Sequence, residues 1–184
     1  MEEKTSHNPA FTRFAGTKFI GASKEITKAA YCALRGWTMP ENEDPNEIGR
    51  MVQYDQPEGQ EPTPGYDGYI SWSPKFAFDE AYRESGQMNF GHAIEAMKSG
   101  KRVSRSGWNG KGMWIVLMTG MNLPPFNTQG TERKVNDRTA KWIGEDTPLE
   151  TLPYFAMWTA DKKWLPGWLA SQTDMLAEDW VILG

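Results

Sequence analysis

A cationic, glycine-rich turn carries the residue types best suited to binding a small ligand. Residues 98–111 include five basic side chains and no acidic one, and residues 107–112 contain three glycines, Trp108 and Asn109. Glycine permits close backbone approach, Lys and Arg donate to phosphate, and the indole offers a flat face. These features suit a site for a phosphate next to a base or ribose. Composition alone favours a solvated basic strand followed by a hairpin turn, and the spacing is not that of a P-loop.

An aromatic hairpin is the second candidate feature. Trp158 and Trp164 are best explained by core packing, whereas Trp168 precedes a polar turn at residues 170–174. In that turn Ser171 and Asp174 have the spacing of a helix-capping pattern. Because free N–H groups at a helix start favour anions, Trp168 is the better candidate for stacking on a ligand.

The acidic residues near the end of the chain do not form a recognisable catalytic pair. Capping explains Asp174, which could also accept a hydrogen bond from a ribose hydroxyl or an adenine amino group, and helix solvation explains Glu178 and Asp179. The candidate nucleophiles have no histidine or other partner near them in the sequence: Ser104, Ser171 and Cys32. The sequence therefore argues against an enzyme.

Composition excludes several classes of protein. The 184 residues carry a net charge of -4 and include nine Trp, which is not the composition of a disordered chain. The longest apolar run, residues 113–118, is far shorter than the roughly 20 residues of a membrane span. With one cysteine, Cys32, and two distant histidines, His7 and His92, we expect no disulfide, no metal and no cofactor. The absence of a secretory signal predicts a cytoplasmic protein.

The distribution of charge and tryptophan indicates two modules. Residues 1–87 carry 9 basic and 14 acidic groups, whereas residues 88–184 carry 11 and 10 and include seven of the nine Trp. We expect a flexible tail at 1–16, an α+β module at 17–84, a linker at 85–88 and a second module at 89–184.

The first module is expected to have strands at 18–22, 49–55 and 68–73 and a helix at 25–34. The Pro- and Gly-rich residues 56–67 predict a long loop. Ser73 is expected to cap another helix, with Pro74 at its first position.

The second module is expected to pack a helix on an antiparallel sheet of about four to five strands. Asn89 predicts the helix start and Gly100 its end. Strands are expected at 101–106, 113–118 and 180–183. Because residues 113–118 are apolar on both alternating faces, and one helix covers one face, we expect an oligomer.

The rest of the second module is expected to contain a loop and a hairpin. The polar residues 122–150 predict a long functional loop or lid. Strands at 154–160 and 163–169 should form a two-residue hairpin with Thr159 opposite Trp164, and Pro166 suggests an edge position.

Three stretches of the second module resemble the second type of Thoeris anti-defence proteins of phages and prophages. The stretches are Met88-Asn89-Phe90-Gly91, residues 100–113 and residues 168–180. In the first module, residues 36–40 and 68–74 resemble a module of other phage proteins without an established activity.

The family resemblance implies a function and a site. Members of that family are not enzymes but sequester cyclic nucleotide immune signals, above all glycocyclic ADP-ribose, and some take up cyclic di- or trinucleotides. The resemblance implies a homo-oligomer in the cytoplasm of the infected bacterium, a tetramer with a dimer as the alternative, holding ligand between protomers. The ligand-binding residues it implies lie in two turns: Arg105, Trp108, Asn109, Lys111, Met113, Trp168, Ser171, Gln172, Thr173, Asp174 and Met175.

Individual roles follow from the same resemblance. Trp108 would stack, Asn109 and Asp174 would bind polar edges, Arg105 or Lys111 would meet phosphate, and Thr173 would donate at the helix start. Two other interpretations remain open. One is a single-stranded nucleic-acid binder, which the net charge of -4 disfavours. The other is a virion or assembly protein whose Trp residues lie in interfaces.

Overall fold

The structure is a computed structural model that describes residues 17–55 and 61–184. The predicted tail at 1–16 and part of the predicted loop, residues 56–60, lie outside the described residues. Two compact units divide the chain, the first ending at Glu80 and the second beginning at Ala81.

The first unit is built around one central strand. Its elements are β1 Ile20–Ala22, β2 Ile26–Thr27, α1 Lys28–Leu34, β3 Ile48–Tyr54, β4 Tyr69–Pro74 and α2 Lys75–Ala81. Strand β3 pairs antiparallel with β1, β2 and β4. Its core contains Tyr31, Cys32 and Ile70, which are almost fully buried.

Both helices of the first unit begin later than the sequence predicts. Thr27 is the N-cap of α1, since its hydroxyl accepts a hydrogen bond from the amide of Ala30. The two residues before α1 pair with β3 and are therefore strand. Ser73 does not cap α2: it lies opposite Arg50 in the sheet, and the helix begins only at Lys75.

The second unit confirms the predicted α+β class. Its elements are α3 Phe90–Lys98, β5 Arg102–Arg105, β6 Trp114–Met118, β7 Asn122–Leu123, α4 Asp137–Ile143, β8 Leu149–Glu150, β9 Tyr154–Trp158, β10 Trp164–Pro166, α5 Gln172–Met175 and β11 Trp180–Leu183. Five antiparallel strands form one sheet in the order β10-β9-β6-β5-β11. Strand β10, which contains Pro166, is an edge strand as predicted.

Helix α3 covers one face of this sheet. Asn89 caps it by accepting a hydrogen bond from the amide of His92 at 3.1 Å. Gly100 follows with a φ of 82°, a conformation that favours glycine. Below the helix, Val103, Ile115 and Trp180 are fully buried.

Residues just before α3 extend the edge of the sheet. The amide of Gly86 donates to the carbonyl of Trp180 at 2.8 Å, and the amide of Trp180 donates to the carbonyl of Met88 at 3.0 Å. Met88 is buried. The segment 85–88, expected as a linker, is therefore hydrogen-bonded to β11.

The long segment between β6 and β9 contains regular elements. Strands β7 and β8 pair with each other, and Asn136 caps α4 through the amide of Thr139. Val135 and Ala140 are almost fully buried. The segment 122–150, expected as a long functional loop or lid, therefore contains regular elements that capping and two buried side chains stabilise.

The hairpin of β9 and β10 is shifted by one residue from the predicted register. Trp164 lies opposite Trp158 rather than Thr159. The amide of Thr159 donates to the carbonyl of Lys163, and Lys162 between them has a φ of 60°. A three-residue turn with a left-handed last residue replaces the expected two-residue turn. Trp164 therefore lies on the same face of the sheet as Trp158, and on the opposite face from Phe155 and Met157.

The burial of Ile115 predicts the cost of truncating it. Because its side chain is fully buried between α3 and the sheet, Ile115→Ala should lower the free energy of unfolding by about 2–5 kcal/mol. Urea denaturation followed by tryptophan fluorescence measures this. Leu152, which is 84% exposed, is the control, and Leu152→Ala should change stability by less than about 0.5 kcal/mol. Equal losses in both variants would contradict the assigned packing.

Candidate ligand-binding site

The two turns that the sequence singled out meet at one end of the five-stranded sheet. Arg105 is the last residue of β5 and lies opposite Trp180, the first residue of β11. The turn after β5 carries Trp108, and helix α5, which precedes β11, carries Asp174. Antiparallel pairing of β5 with β11 therefore brings together residues that are distant in sequence.

Arg105 binds two carboxylates at once. Its Nε lies 2.8 Å from Oδ1 of Asp179, and its Nη1 lies 2.8 Å from Oδ1 of Asp174. Nη1 also donates to the carbonyl of Thr173 at 3.3 Å. The hydrogen bond to Asp179 is the main cause of a raised pKa of Arg105, which burial opposes. Its guanidinium therefore connects β5 to α5 and to the start of β11.

Asp174 accepts four hydrogen bonds. Oδ1 accepts from Nε1 of Trp108 at 2.9 Å and from Arg105, while Oδ2 accepts from the hydroxyl and the amide of Ser171 at 2.7 and 3.1 Å. The Ser171 hydroxyl accepts from the Asp174 amide in turn, which completes a capping box. Burial favours the neutral acid, but the hydrogen bonds from Trp108, Ser171 and Arg105 together lower the pKa of Asp174 to about 2.

Asp179 fixes the conformation of residues 107–112, called the glycine turn below. The sequence did not predict this role. Oδ2 of Asp179 accepts a hydrogen bond from the amide of Gly107 at 2.6 Å. A Cβ at Gly107 would lie 2.6 Å from the same oxygen, so a larger residue here would displace the Asp179 carboxylate. The hydrogen bond from Arg105 is the main cause of a lowered pKa of Asp179. The sequence signal that could have identified this role is the position of Asp179 directly before β11, across from the end of β5.

Trp108 links the site to the core. Its ring makes edge contacts with Trp168, at 6.1 Å between centroids, and with Trp180, at 5.5 Å. Trp180 in turn packs on Phe90 of α3 and donates from Nε1 to the carbonyl of Asp174. Trp108 and Trp168 are both half-buried, so part of each ring remains accessible.

The remaining predicted residues surround this scaffold with accessible side chains. Lys111 and Asn109 in the glycine turn are exposed, and neither side chain has a hydrogen bond or ion pair within the described parts of the chain. Met113 is half-buried beside Gly110. Exposed side chains also lie in residues 168–175, called the α5 turn below: Ser171, Gln172, Thr173 and Met175. The structure thus joins six predicted residues by direct contact: Arg105, Trp108, Trp168, Ser171, Thr173 and Asp174.

The carboxylate at the centre of this site is not suited to act as a general base. A carboxylate with a pKa of about 2, such as Asp174, is a poor proton acceptor at neutral pH. Across residues 17–55 and 61–184, no group of three or more His, Cys, Asp or Glu side chains could hold a metal ion. No helix in those same ranges is long and apolar enough to cross a membrane.

Comparison with known proteins matches the second unit. A family model described as a Thoeris anti-defense 2-like domain matches residues 88–183. A protein of Bacillus phage SP01 described as Thoeris anti-defense 2 is 37% identical over 97 residues, which are 53% of this chain and 96% of that protein. The family-model match includes the glycine turn and the α5 turn.

The lowered pKa of Asp174 predicts how stability depends on pH. A carboxyl with a pKa of about 2 in the folded state and about 3.8 when unfolded stabilises the fold above the higher value. We expect a loss of about 2 kcal/mol from this group as the pH falls from 5 to 2. Urea denaturation at several pH values measures it.

Two variants isolate the contribution of Asp174. Asp174→Asn should be less stable at neutral pH and should lose less stability on acidification than the unmodified protein. Glu178→Gln removes an exposed carboxylate two residues beyond α5 and its cap, and should keep the full pH dependence. An unaltered acid response in Asp174→Asn would show that the hydrogen bonds to this carboxylate do not stabilise the fold.

Proposed function

Because the chain belongs to the Thoeris anti-defense 2-like family, we propose that it binds and sequesters cyclic nucleotide immune signals without cleaving them. Family membership supports a phage anti-defence role. The proposed ligand is glycocyclic ADP-ribose, and related cyclic oligonucleotides are further candidates. The proposed place of action is the cytoplasm of the infected host, where capture of the signal would keep the immune effector inactive.

The observation that carries the proposal is the rigid connection of the two turns through Asp174. Because its carboxylate holds both Trp108 and Arg105, the two turns have a fixed separation before any ligand binds. A preorganised site loses less conformational entropy on binding and therefore binds more tightly. Tight, stoichiometric binding is what a sequestering protein requires.

The contacts also refine the roles that the resemblance implies. Since Arg105 is already paired with Asp174 and Asp179, we assign the phosphate contact to Lys111, whose ammonium group is exposed. Asp174 positions Trp108 rather than contacting the ligand itself. Polar edges of the ligand would meet exposed side chains of the two turns: Asn109, Gln172 and Thr173. Trp108 and Trp168 would provide the stacking surfaces.

A tryptophan cluster supports the proposed homo-oligomer. Trp114 and Trp164 both pair with Trp158 in the sheet, so the three side chains share the face opposite α3. Trp114 stacks on Trp158 at 6.0 Å, and Trp164 remains 40% exposed. Large, partly exposed aromatic clusters mark protein interfaces. We propose a tetramer assembled partly through this face, with a dimer as the alternative.

Capture of the ligand should depend on the stacking surface of Trp168. Isothermal titration calorimetry with glycocyclic ADP-ribose should show binding that Trp168→Ala weakens roughly tenfold or more, because stacking on an aromatic ring contributes about 1–3 kcal/mol. Trp142, which is 80% exposed on α4, provides the matched control, and Trp142→Ala should bind normally. Heating the complex should release the ligand intact. A hydrolysed product or an absence of binding at micromolar concentrations would contradict the proposal.

The assembly should depend on the tryptophan cluster. Trp164→Glu places a charge within the cluster and should shift the protein to a smaller species in size-exclusion chromatography with light scattering. Trp142→Glu introduces the same charge at an exposed position and should leave the molar mass unchanged. Unchanged assembly in both variants would show that this face is not an interface.

A further inference from the structure

The first unit contains a cavity of a size suited to a small molecule. Its volume is about 490 Å³, and its walls include Lys28 and Tyr31 from α1, Arg35 and Trp37 after it, and Trp72 from β4. Small-molecule sites commonly occupy about 300–1,000 Å³ and combine aromatic walls with a few polar groups. This cavity meets both criteria, and it lies within a single unit.

Arg35 brings an uncompensated cation to this cavity. Its guanidinium lies over the ring of Trp37, 4.7 Å from the centroid, and has no ion pair with any residue that the structure describes. Its Nη1 is buried and lacks a hydrogen-bond acceptor among those residues. An unsatisfied buried donor, above all a charged one, is costly to maintain. A bound anion would compensate the charge of the guanidinium.

Trp72 presents a second unsatisfied donor. Its Nε1 is buried and has no acceptor in the described parts of the chain. The indole packs closely against Gly49, where a Cβ would lie 2.5 Å from the ring. Tyr31, which also lines the cavity, contacts the Trp72 ring at 5.3 Å between centroids. An acceptor on a ligand could reach this nitrogen after a small rotation of the side chain.

The charge of the cavity differs from that of its module. Residues 17–80 carry 6 basic and 11 acidic side chains, so the module as a whole is acidic. Within the cavity, Lys28 pairs with Glu43 at 2.8 Å, which leaves the charge of Arg35 in excess. The net negative charge of the module does not attract anions over a long distance. An anion would therefore be bound by the local positive charge in the cavity.

We propose that this cavity binds a mononucleotide. The phosphate would pair with Arg35, and the base would pack on the part of the Trp37 ring that is exposed, because the edge of this ring toward Tyr31 is already in contact. An acceptor atom of the base would receive the hydrogen bond from Nε1 of Trp72. The second unit is not required for this site, so the inference is independent of the function proposed above.

The test uses the full chain and calorimetric titration with AMP, GMP, CMP and UMP. We expect at least one of the four to bind with one site per chain, and inorganic phosphate alone to bind more weakly. Arg35→Gln should weaken the binding about tenfold or more, because hydrogen bonds to charged groups contribute about 1.5–3 kcal/mol. Trp72→Phe keeps an aromatic ring but removes the donor, and should weaken binding severalfold.

Two further variants localise the binding. Lys24→Gln removes an exposed charge in the same unit and should not alter binding. Trp168→Ala, in the other unit, should retain mononucleotide binding, which separates this cavity from the site for cyclic signals. Circular dichroism checks folding, and if Arg35→Gln fails to fold, Trp72→Phe decides. The proposal is overturned if no mononucleotide binds at millimolar concentrations, if Trp168→Ala abolishes the binding, or if the cavity variants bind normally.

Discussion

The carboxylate of Asp174 connects more of the second unit than any other single group described above. Its two oxygens receive hydrogen bonds from a β-strand, a glycine turn and the start of a short helix. Removing a charged side chain from water has a desolvation free-energy cost, and four hydrogen-bond donors together offset it. Helix α5 has only four residues and could not persist by itself. Asp174 therefore stabilises the helix and fixes the neighbouring turn.

Arg105 fixes the geometry of this end of the sheet because it pairs with two carboxylates. The bonds to Asp174 and Asp179 leave from different nitrogens of one planar group, so they fix the orientation of the guanidinium as well as its distance. A lysine could offer the charge without that orientation. The cluster contains one positive and two negative charges, so its excess negative charge would repel a phosphate placed directly upon it. Binding of an anion is therefore expected at the exposed Lys111, away from both carboxylates.

Local patterns in the sequence predicted local structure, but they did not predict contacts between residues that are distant in sequence. The Asn89 cap and Gly100 delimit α3 because capping depends on neighbouring residues. The register of the β9–β10 hairpin was missed because the left-handed conformation of Lys162 has no sequence signal. The two turns of the candidate site were identified from composition and resemblance. The role of Asp179 was not, since its partner Arg105 lies 74 residues earlier and only strand pairing brings them together.

The separation of these partners along the chain has a consequence for synthesis. Arg105 and Trp108 leave the ribosome long before Asp174 and Asp179, so during translation their side chains have no carboxylate partners. Closing a loop of this length has an entropic cost that grows with the logarithm of its length and is recovered when the contacts form. The proposed binding site thus cannot assemble while α5 and β11 are missing. A truncated or nascent chain would lack this site, and the proposed capture of a signal would begin only once the sheet is complete.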